Sequence, residues 1–228
     1  VVVFLPTANQ AQFASELFGA MGIKNDALHS RKSQTYRTRV SNAFRDCRQG
    51  VIVASDVAAR GVDYPGVSLV VQVGAPDSRE QYVHRTGRTG RAGQAGAAVL
   101  FLSDWEATSA MKMLGGLPID ATESAAATQA AARAQAAAAL PAVEVQTRER
   151  AYQAWLGYYK AKMKVLRWDA KTLVTTANEL ALGALGLNEV PTLQAKTVGM
   201  MGLRGTPGLV VAKGPSHGGG GRGSVGGS

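Results

Sequence analysis

Val51-Ile52-Val53-Ala54-Ser55-Asp56 is a run of four apolar residues that ends in two polar ones. A run this short and unbroken reads as a strand covered on both faces, as in a parallel sheet. Val1-Val2-Val3-Phe4-Leu5 reads the same way, and Leu69-Val70-Val71-Gln72-Val73 and Ala97–Leu102 read as further strands, with Ile23–Leu28 as a shorter candidate. Helices fit between them. Asn9 is placed to cap one in which Phe13, Leu17, Phe18 and Met21 share a face, closed by Gly22. Ser33 is placed to cap another, with Tyr36, Val40, Phe44 and Cys47 on one stripe and Gly50 at its close. Ser78 starts a helix that runs through His84, and Asp104–Leu114 forms one more. Strands alternating with helices predict an α/β fold: an open parallel sheet with helices on both faces. In such sheets ligands sit beyond the carboxyl ends of the strands, which is where Ser55-Asp56 and Asp63 fall.

The chain has 228 residues and a net charge of +9. Lys and Arg exceed Asp and Glu by 13 to 10 over residues 1–120, and by 12 to 6 over the rest. The smaller half therefore carries most of the positive charge, which suits a polyanionic partner, nucleic acid or an anionic membrane surface, and suits a domain that is merely basic about equally. Cys47 is the sole cysteine, so an intrachain disulfide and a Cys-based metal site are excluded. His29, His84 and His217 are too scattered to suggest ligands, and no apolar run is long enough for a membrane-spanning helix. An opening in a core strand implies that further chain precedes Val1.

Two segments carry chemistry. In Tyr82-Val83-His84-Arg85-Thr86-Gly87-Arg88-Thr89-Gly90-Arg91-Ala92-Gly93, arginines recur every third residue with glycines between. The glycines take the segment out of the helix and into a turn, where Arg88 and Arg91 become guanidinium forks. Such forks match phosphoryl oxygens bidentately and neutralise charge developing on a transferred phosphoryl group. A solvated basic turn is the blander alternative. In Val53-Ala54-Ser55-Asp56-Val57-Ala58-Ala59-Arg60-Gly61-Val62-Asp63-Tyr64-Pro65, a buried strand leads into a turn at Gly61. Asp56 and Asp63 there can cap a turn, pair with an arginine or accept bonds from ribose hydroxyls, and Arg60 can pair with either Asp or reach a phosphate.

Together these segments closely resemble motifs V and VI of the DEAD-box RNA helicases. Phe4-Leu5-Pro6-Thr7 is similar to motif IV, Leu28-His29-Ser30 to the LHG signature, Gln34-Thr35-Tyr36-Arg37 to QxxR, and Phe44-Arg45 to motif IVa. Ser30 stands for the usual Gly of LHG and Ser55 for the usual Thr of motif V. The resemblance covers residues 1 to about 118. It implies a RecA-like C-terminal helicase domain whose Arg88 and Arg91 reach the γ-phosphate of ATP held between two such domains. It implies that His84 and Arg85 couple ATP to RNA, and that Asp63, with Gly61 beside it, lies at the nucleotide ribose. RNA backbone contacts are implied for Pro6, Thr7, Gln34, Arg37, Arg45, Ser55, Arg60 and Gly61. The GKT loop, the DEAD segment with its metal-binding Asp and the SAT segment do not occur in residues 1–228, so Mg2+ is expected to be held mainly by an N-terminal RecA-like partner domain. Residues 1–228 alone are expected neither to hydrolyse ATP nor to unwind RNA.

Beyond the first domain, residues 119–146 read as an Ala-rich, flexible or loosely helical spacer. Residues 147–212 read as a helical basic extension and residues 213–228 as a Gly-rich tail with a single Arg, Arg222. Tyr152, Trp155 and Tyr159 share one helical face, and Lys160, Lys162 and Lys164 follow. The aromatics are expected to pack the helix onto the first domain. The three lysines are expected to meet RNA. With Lys196–Gly205, this stretch resembles the C-terminal extension of the organellar intron-splicing subgroup of DEAD-box proteins. That resemblance implies RNA chaperone activity on single-stranded and structured RNA, a mitochondrial location (a chloroplast being the alternative), an organellar ribonucleoprotein as a further partner, and no membrane. A non-catalytic RNA-binding or scaffold component built on the same fold is the competing function.

Overall fold

The computed structural model describes residues 1–56, 64, 66–90, 93, 95–122 and 125–212. Arg60, Gly61, Asp63, Arg91 and the Gly-rich tail lie outside the described residues.

Five strands form one parallel sheet: β1 (Val2–Phe4), β2 (Asp26–Leu28), β3 (Ile52–Ala54), β4 (Leu69–Val73) and β5 (Ala97–Phe101), in the order β2-β3-β1-β4-β5. Helices α1 (Ala8–Ala20), α2 (Gln34–Asp46), α3 (Arg79–Thr86) and α4 (Asp104–Met113) connect or follow them. Alternation along β1 divides the core. Val2 and Phe4 join Ile52, Ala54 and Val70 in a cluster with Val40, Tyr36 and Phe44 of α2. Val3 and Leu5 join Val53 in a second cluster with Ala11, Ala14 and Phe18 of α1. A strand that is apolar on both sides is thus covered on both sides, which is why its sequence shows no polar alternation. The chain runs outward from β1 to β2, returns through β3 and crosses to β4 on the other side of β1. That reversal gathers Pro6-Thr7, His29, Ser55-Asp56 and Gly74-Ala75 at one edge, beyond the carboxyl ends of four strands.

Several local expectations change. Thr7, not Asn9, caps α1: its hydroxyl accepts the Gln10 N–H and donates to Gln10 Oε1, at 3.2 and 2.8 Å. Asn9 sits inside the first turn and donates to the Arg150 carbonyl at 3.2 Å. Cys47 is off the buried stripe, because α2 ends at Asp46 and Cys47 turns extended and exposed. Strand β2 begins at Asp26, because Asn25 holds the preceding residues in a turn through the carbonyls of Ser15 and Ile23.

The Ala-rich stretch is ordered as helix α5 (Ala126–Ala139), followed by a 3-10 turn over Leu140–Ala142. Alanine's intrinsic preference suffices to form it where no apolar pattern exists. It is exposed along most of its length and buries Ala139 and Leu140 at its end. Helix α6 (Val145–Leu166) then runs 22 residues and packs against α1, α4 and α7 (Ala170–Leu182). A short parallel pair, β6 (Thr192–Leu193) with β7 (Val210–Val211), and helix α8 (Ala195–Met200) complete the extension.

Candidate nucleotide and RNA site

Arg85 is the centre of the site. It lies in the last turn of α3, is 3% exposed, and aims a bidentate fork at Asp56, with Nε to Oδ1 at 2.6 Å and Nη2 to Oδ2 at 2.5 Å. Its guanidinium also lies over the Phe4 ring at 5.4 Å and donates to Gln72 Oε1 at 3.5 Å. Gln72, fully buried in β4, in turn donates to Thr86 Oγ1 at 3.2 Å. Of the three fates open to Asp56, pairing with an arginine is the one observed. Residues of β1, β3, β4 and α3 are thereby locked together at the carboxyl edge of the sheet. A buried ion pair of this kind stands only with its partners complete, since removing one leaves an uncompensated charge.

From this anchor α3 continues to Gly87, and Arg88 is half-buried just beyond, its Nε donating to the His84 carbonyl at 3.3 Å. His84 itself is exposed. Ser55 is buried directly after β3, its N–H bonded to the Leu28 carbonyl at 3.2 Å. Tyr64 is buried against Phe44 and bonded to Ser41 Oγ at 3.0 Å, which ties it to α2.

The other expected RNA residues lie on α2, at the start of α1 and on α6. Gln34 opens α2 and is exposed, and Arg45 is exposed in its last turn. Arg37 is half-buried, and its Nε is buried with no hydrogen-bond partner among the described residues. The Thr7 hydroxyl is occupied as the cap of α1. Lys160 is half-buried and Lys164 exposed on α6. Lys162 is redirected: its ammonium meets Asp77 Oδ1 at 2.8 Å and lies over the Tyr158 ring at 4.6 Å, so it ties the extension to the first domain.

The extension docks through side chains that sequence reasoning did not single out. Glu106 of α4, 1% exposed, accepts from the Ala75 N–H and the Tyr159 hydroxyl, both at 2.8 Å, and from the Ser103 N–H at 3.1 Å. Burial, and then the Glu106 carboxylate, push the Tyr159 phenol far above its ordinary range, so it is a permanent donor. The Tyr158 hydroxyl donates to the Ala75 carbonyl at 3.0 Å and to Asp77 Oδ1 at 3.1 Å. Burial raises the Asp77 carboxyl, but Lys162, Tyr158 and Gln81 outweigh it and leave the group below its ordinary value. Around these bonds Trp105, Trp155, Tyr159 and Trp168 form an aromatic cluster, with ring centroids 4.9 Å apart for Trp105–Tyr159 and 4.7 Å for Trp105–Trp168. The aromatic face of α6 therefore packs inward, as its spacing predicts. The Ser103-x-x-Glu106 capping box was a readable signal for Glu106, though only for its role within α4.

His29 forms a separate support. Its Nε2 meets Gln12 Oε1 at 2.9 Å and its Nδ1 accepts the Arg31 N–H at 3.3 Å, which suits one neutral tautomer. Burial first, then Lys32 and Arg31, lower its pKa from 6.5 to about 4. Between those values the unfolded chain binds a proton that the folded chain refuses. Stability is therefore full above pH 6.5 and falls as pH drops toward 4, by on the order of 3 kcal/mol. Urea unfolding at pH 7 and pH 4.5 measures this, and His29→Gln is expected to flatten the slope.

Among the described residues no three His, Cys, Asp or Glu side chains converge to hold a metal ion, and no helix is long and apolar enough to cross a membrane.

Residues 1–93 match the helicase conserved C-terminal domain. The chain is 44% identical over 214 residues to DEAD-box ATP-dependent RNA helicase 25 of Arabidopsis thaliana, covering 94% of this chain and 37% of that protein. It is 39% identical over 221 residues to the ATP-dependent RNA helicase mss116, mitochondrial, of Aspergillus oryzae, covering 94% of this chain and 35% of that one. The chain thus spans little more than a third of these relatives. Among solved structures, Mss116p DEAD-box helicase domain 2 bound to an RNA duplex superposes with a TM-score of 0.72 at 21% identity, over 92% of this chain and 85% of the other. Mss116p bound to ssRNA and AMP-PNP superposes at 0.69 with 22% identity, over 92% of this chain and 43% of the other. These likenesses extend the shared fold through the helical extension as well as the sheet. With Pro6-Thr7, His29, Ser55 and Asp56 gathered on one edge of the parallel sheet and relatives of this identity along almost its whole length, the chain carries the C-terminal RecA-like domain of a DEAD-box RNA helicase.

Proposed function

We propose that the protein is an RNA-stimulated ATPase that separates and refolds short RNA duplexes, and that this chain supplies its second motor half. The observation that carries the reading is the buried Asp56–Arg85 pair, which fixes the helix end from which Arg88 projects. An arginine presented from a rigid element can stabilise charge on a γ-phosphoryl group only when a facing domain brings the nucleotide to it. ATP and single-stranded RNA would bind across the cleft between this domain and an N-terminal RecA-like partner. Arg88 and Arg91 would complete the ATP site on closure, with Asp63 and Gly61 at the ribose. Loss of the γ-phosphate would reopen the cleft, a two-state equilibrium biased by ligand. Pro6, Gln34, Arg37, Arg45, Ser55, Arg60 and Gly61 would hold the RNA backbone, with Thr7 contributing through its main chain. Contacts of this kind carry little sequence preference. Mg2+ would be carried by the facing domain and the ATP phosphates, since among the described residues no cluster of His, Cys, Asp or Glu converges to hold it.

The basic extension supports a role on structured RNA, with Lys160 and Lys164 as its remaining RNA contacts. Net positive charge beyond residue 120, the shared fold with Mss116p domain 2, and a relative named as mitochondrial support an organellar RNA chaperone, including in intron splicing, placed in the mitochondrion ahead of the chloroplast. The full-length protein, given ATP and a short RNA duplex with a single-stranded tail, is expected to release the strand. Binding of the duplex without ATP-dependent release would contradict the helicase reading and favour a non-catalytic RNA clamp.

A further inference from the structure

A continuous line of hydrogen bonds runs from the extension into the arginine site. Lys162 and Tyr158 of α6 hold Asp77 Oδ1. The Asp77 main-chain N–H donates to Gln81 Oε1, and Gln81 Nε2 approaches Asp77 Oδ2 at 3.4 Å. The same Gln81 Nε2 donates to Asp56 Oδ2 at 3.0 Å, the oxygen that also receives Arg85 Nη2. Gln81 thus stands between two carboxylates, one fastened to the extension and one to the buried arginine. It lies on α3, four residues before Arg85, on the face that meets Asp56.

We infer that Gln81 is a positioning residue for the Asp56–Arg85 pair, and that Lys162 and Tyr158 act through it, so that docking of the extension sets how effectively RNA stimulates ATP hydrolysis. The inference rests on the functional reading above. Its physical basis is geometric. The amide of Gln81 has one carboxylate oxygen to satisfy at Asp56, and its own carbonyl is held by the Asp77 N–H. Releasing Asp77 from Lys162 frees that loop, lets the Gln81 amide turn, and removes one of the bonds that orient the Asp56 carboxylate toward Arg85. A second tether, Glu106 to Tyr159, also docks the extension; it meets the first only at the Ala75 main chain, and Tyr159→Phe leaves the Glu106–Ala75 bond in place. The two tethers therefore separate docking in general from control of Arg85.

The test is RNA-stimulated ATP hydrolysis by the full-length protein, with kcat and the KM values for ATP and RNA resolved, together with thermal unfolding. Gln81→Leu and Lys162→Met are each expected to lower RNA-stimulated kcat roughly threefold or more. RNA affinity without nucleotide should stay unchanged. The double variant should lose no more than the stronger single one, since both cut the same line. Lys162→Arg keeps the charge at Asp77 and should restore kcat. Tyr159→Phe should lower the unfolding temperature and leave kcat intact. Additive losses, an equal kcat loss in Tyr159→Phe, or unchanged stimulation in Gln81→Leu would each overturn the inference while leaving the motor reading standing. A wild-type protein with no RNA stimulation would overturn that reading, and the inference with it.

Discussion

Arg88→Ala in the full-length protein is expected to lower RNA-stimulated ATP turnover by roughly a thousandfold, with the fold intact. An arginine that stabilises a transferring phosphoryl group typically contributes a factor of that size, about 4 kcal/mol of transition-state stabilisation. The geometry supports a clean result. Arg88 lies past the end of α3 and is half-buried, and its Nε donates to the His84 carbonyl one turn back. The helix beneath it is anchored by the Arg85–Asp56 pair. Lysine at this position keeps the charge but not the fork, and is expected to recover only part of the loss. Arg91→Ala is expected to behave alike on the motif resemblance. Steady-state hydrolysis with saturating RNA, beside a urea titration of each variant, separates lost chemistry from lost folding.

Glu106→Ala is expected to cost about 3–7 kcal/mol in unfolding free energy and to loosen the extension. The substitution strands two buried donors, the Ala75 N–H and the Tyr159 hydroxyl, each worth about 1–3 kcal/mol when left unpaired. It also removes the Glu half of a capping box, worth about 1 kcal/mol more. Because Trp105, Trp155 and Trp168 cluster around this point, intrinsic tryptophan fluorescence reports undocking directly. Glu106→Gln keeps one acceptor for Tyr159 and should cost markedly less. Equal losses in the two variants would mean that the carboxylate is not what holds the interface.

The parts of this molecule that could be read from sequence are those decided by local chemistry. Strand β4 falls on the apolar run Leu69–Val73, closed by Gly74-Ala75-Pro76, and Ser33 and Ser78 cap α2 and α3 with the side-chain bonds such residues make. The inward face of α6 followed from the spacing of Tyr152, Trp155 and Tyr159. Misreadings arose where two local signals competed. Thr7-x-x-Gln10 and Asn9 both resemble helix starts, and the hydroxyl two residues earlier prevailed. Ala126–Ala139 has no apolar stripe, so helix was decided by alanine propensity alone. The site was legible as motifs but not as contacts. Asp56 and Arg85 are 29 residues apart, and only the sheet order that places β3 and β4 on either side of β1 brings them together. Lys162 looked like an RNA contact because the acid that holds it, Asp77, comes from a loop 85 positions earlier in the chain. Gln81 carries no charge and belongs to no periodic pattern, so nothing local distinguished it.

The central claim is that this domain closes on ATP and RNA together. The most direct measurement is the affinity of the full-length protein for a single-stranded RNA, titrated with a non-hydrolysable ATP analogue, with ADP, and with no nucleotide. Closure that engages Arg88 with a γ-phosphate predicts RNA binding tighter by roughly tenfold or more with the analogue than with ADP, since coupling between two sites is reciprocal. In Arg88→Ala that difference should vanish while binding without nucleotide is unchanged. Equal RNA affinity in all three nucleotide states of the wild-type protein would contradict the account.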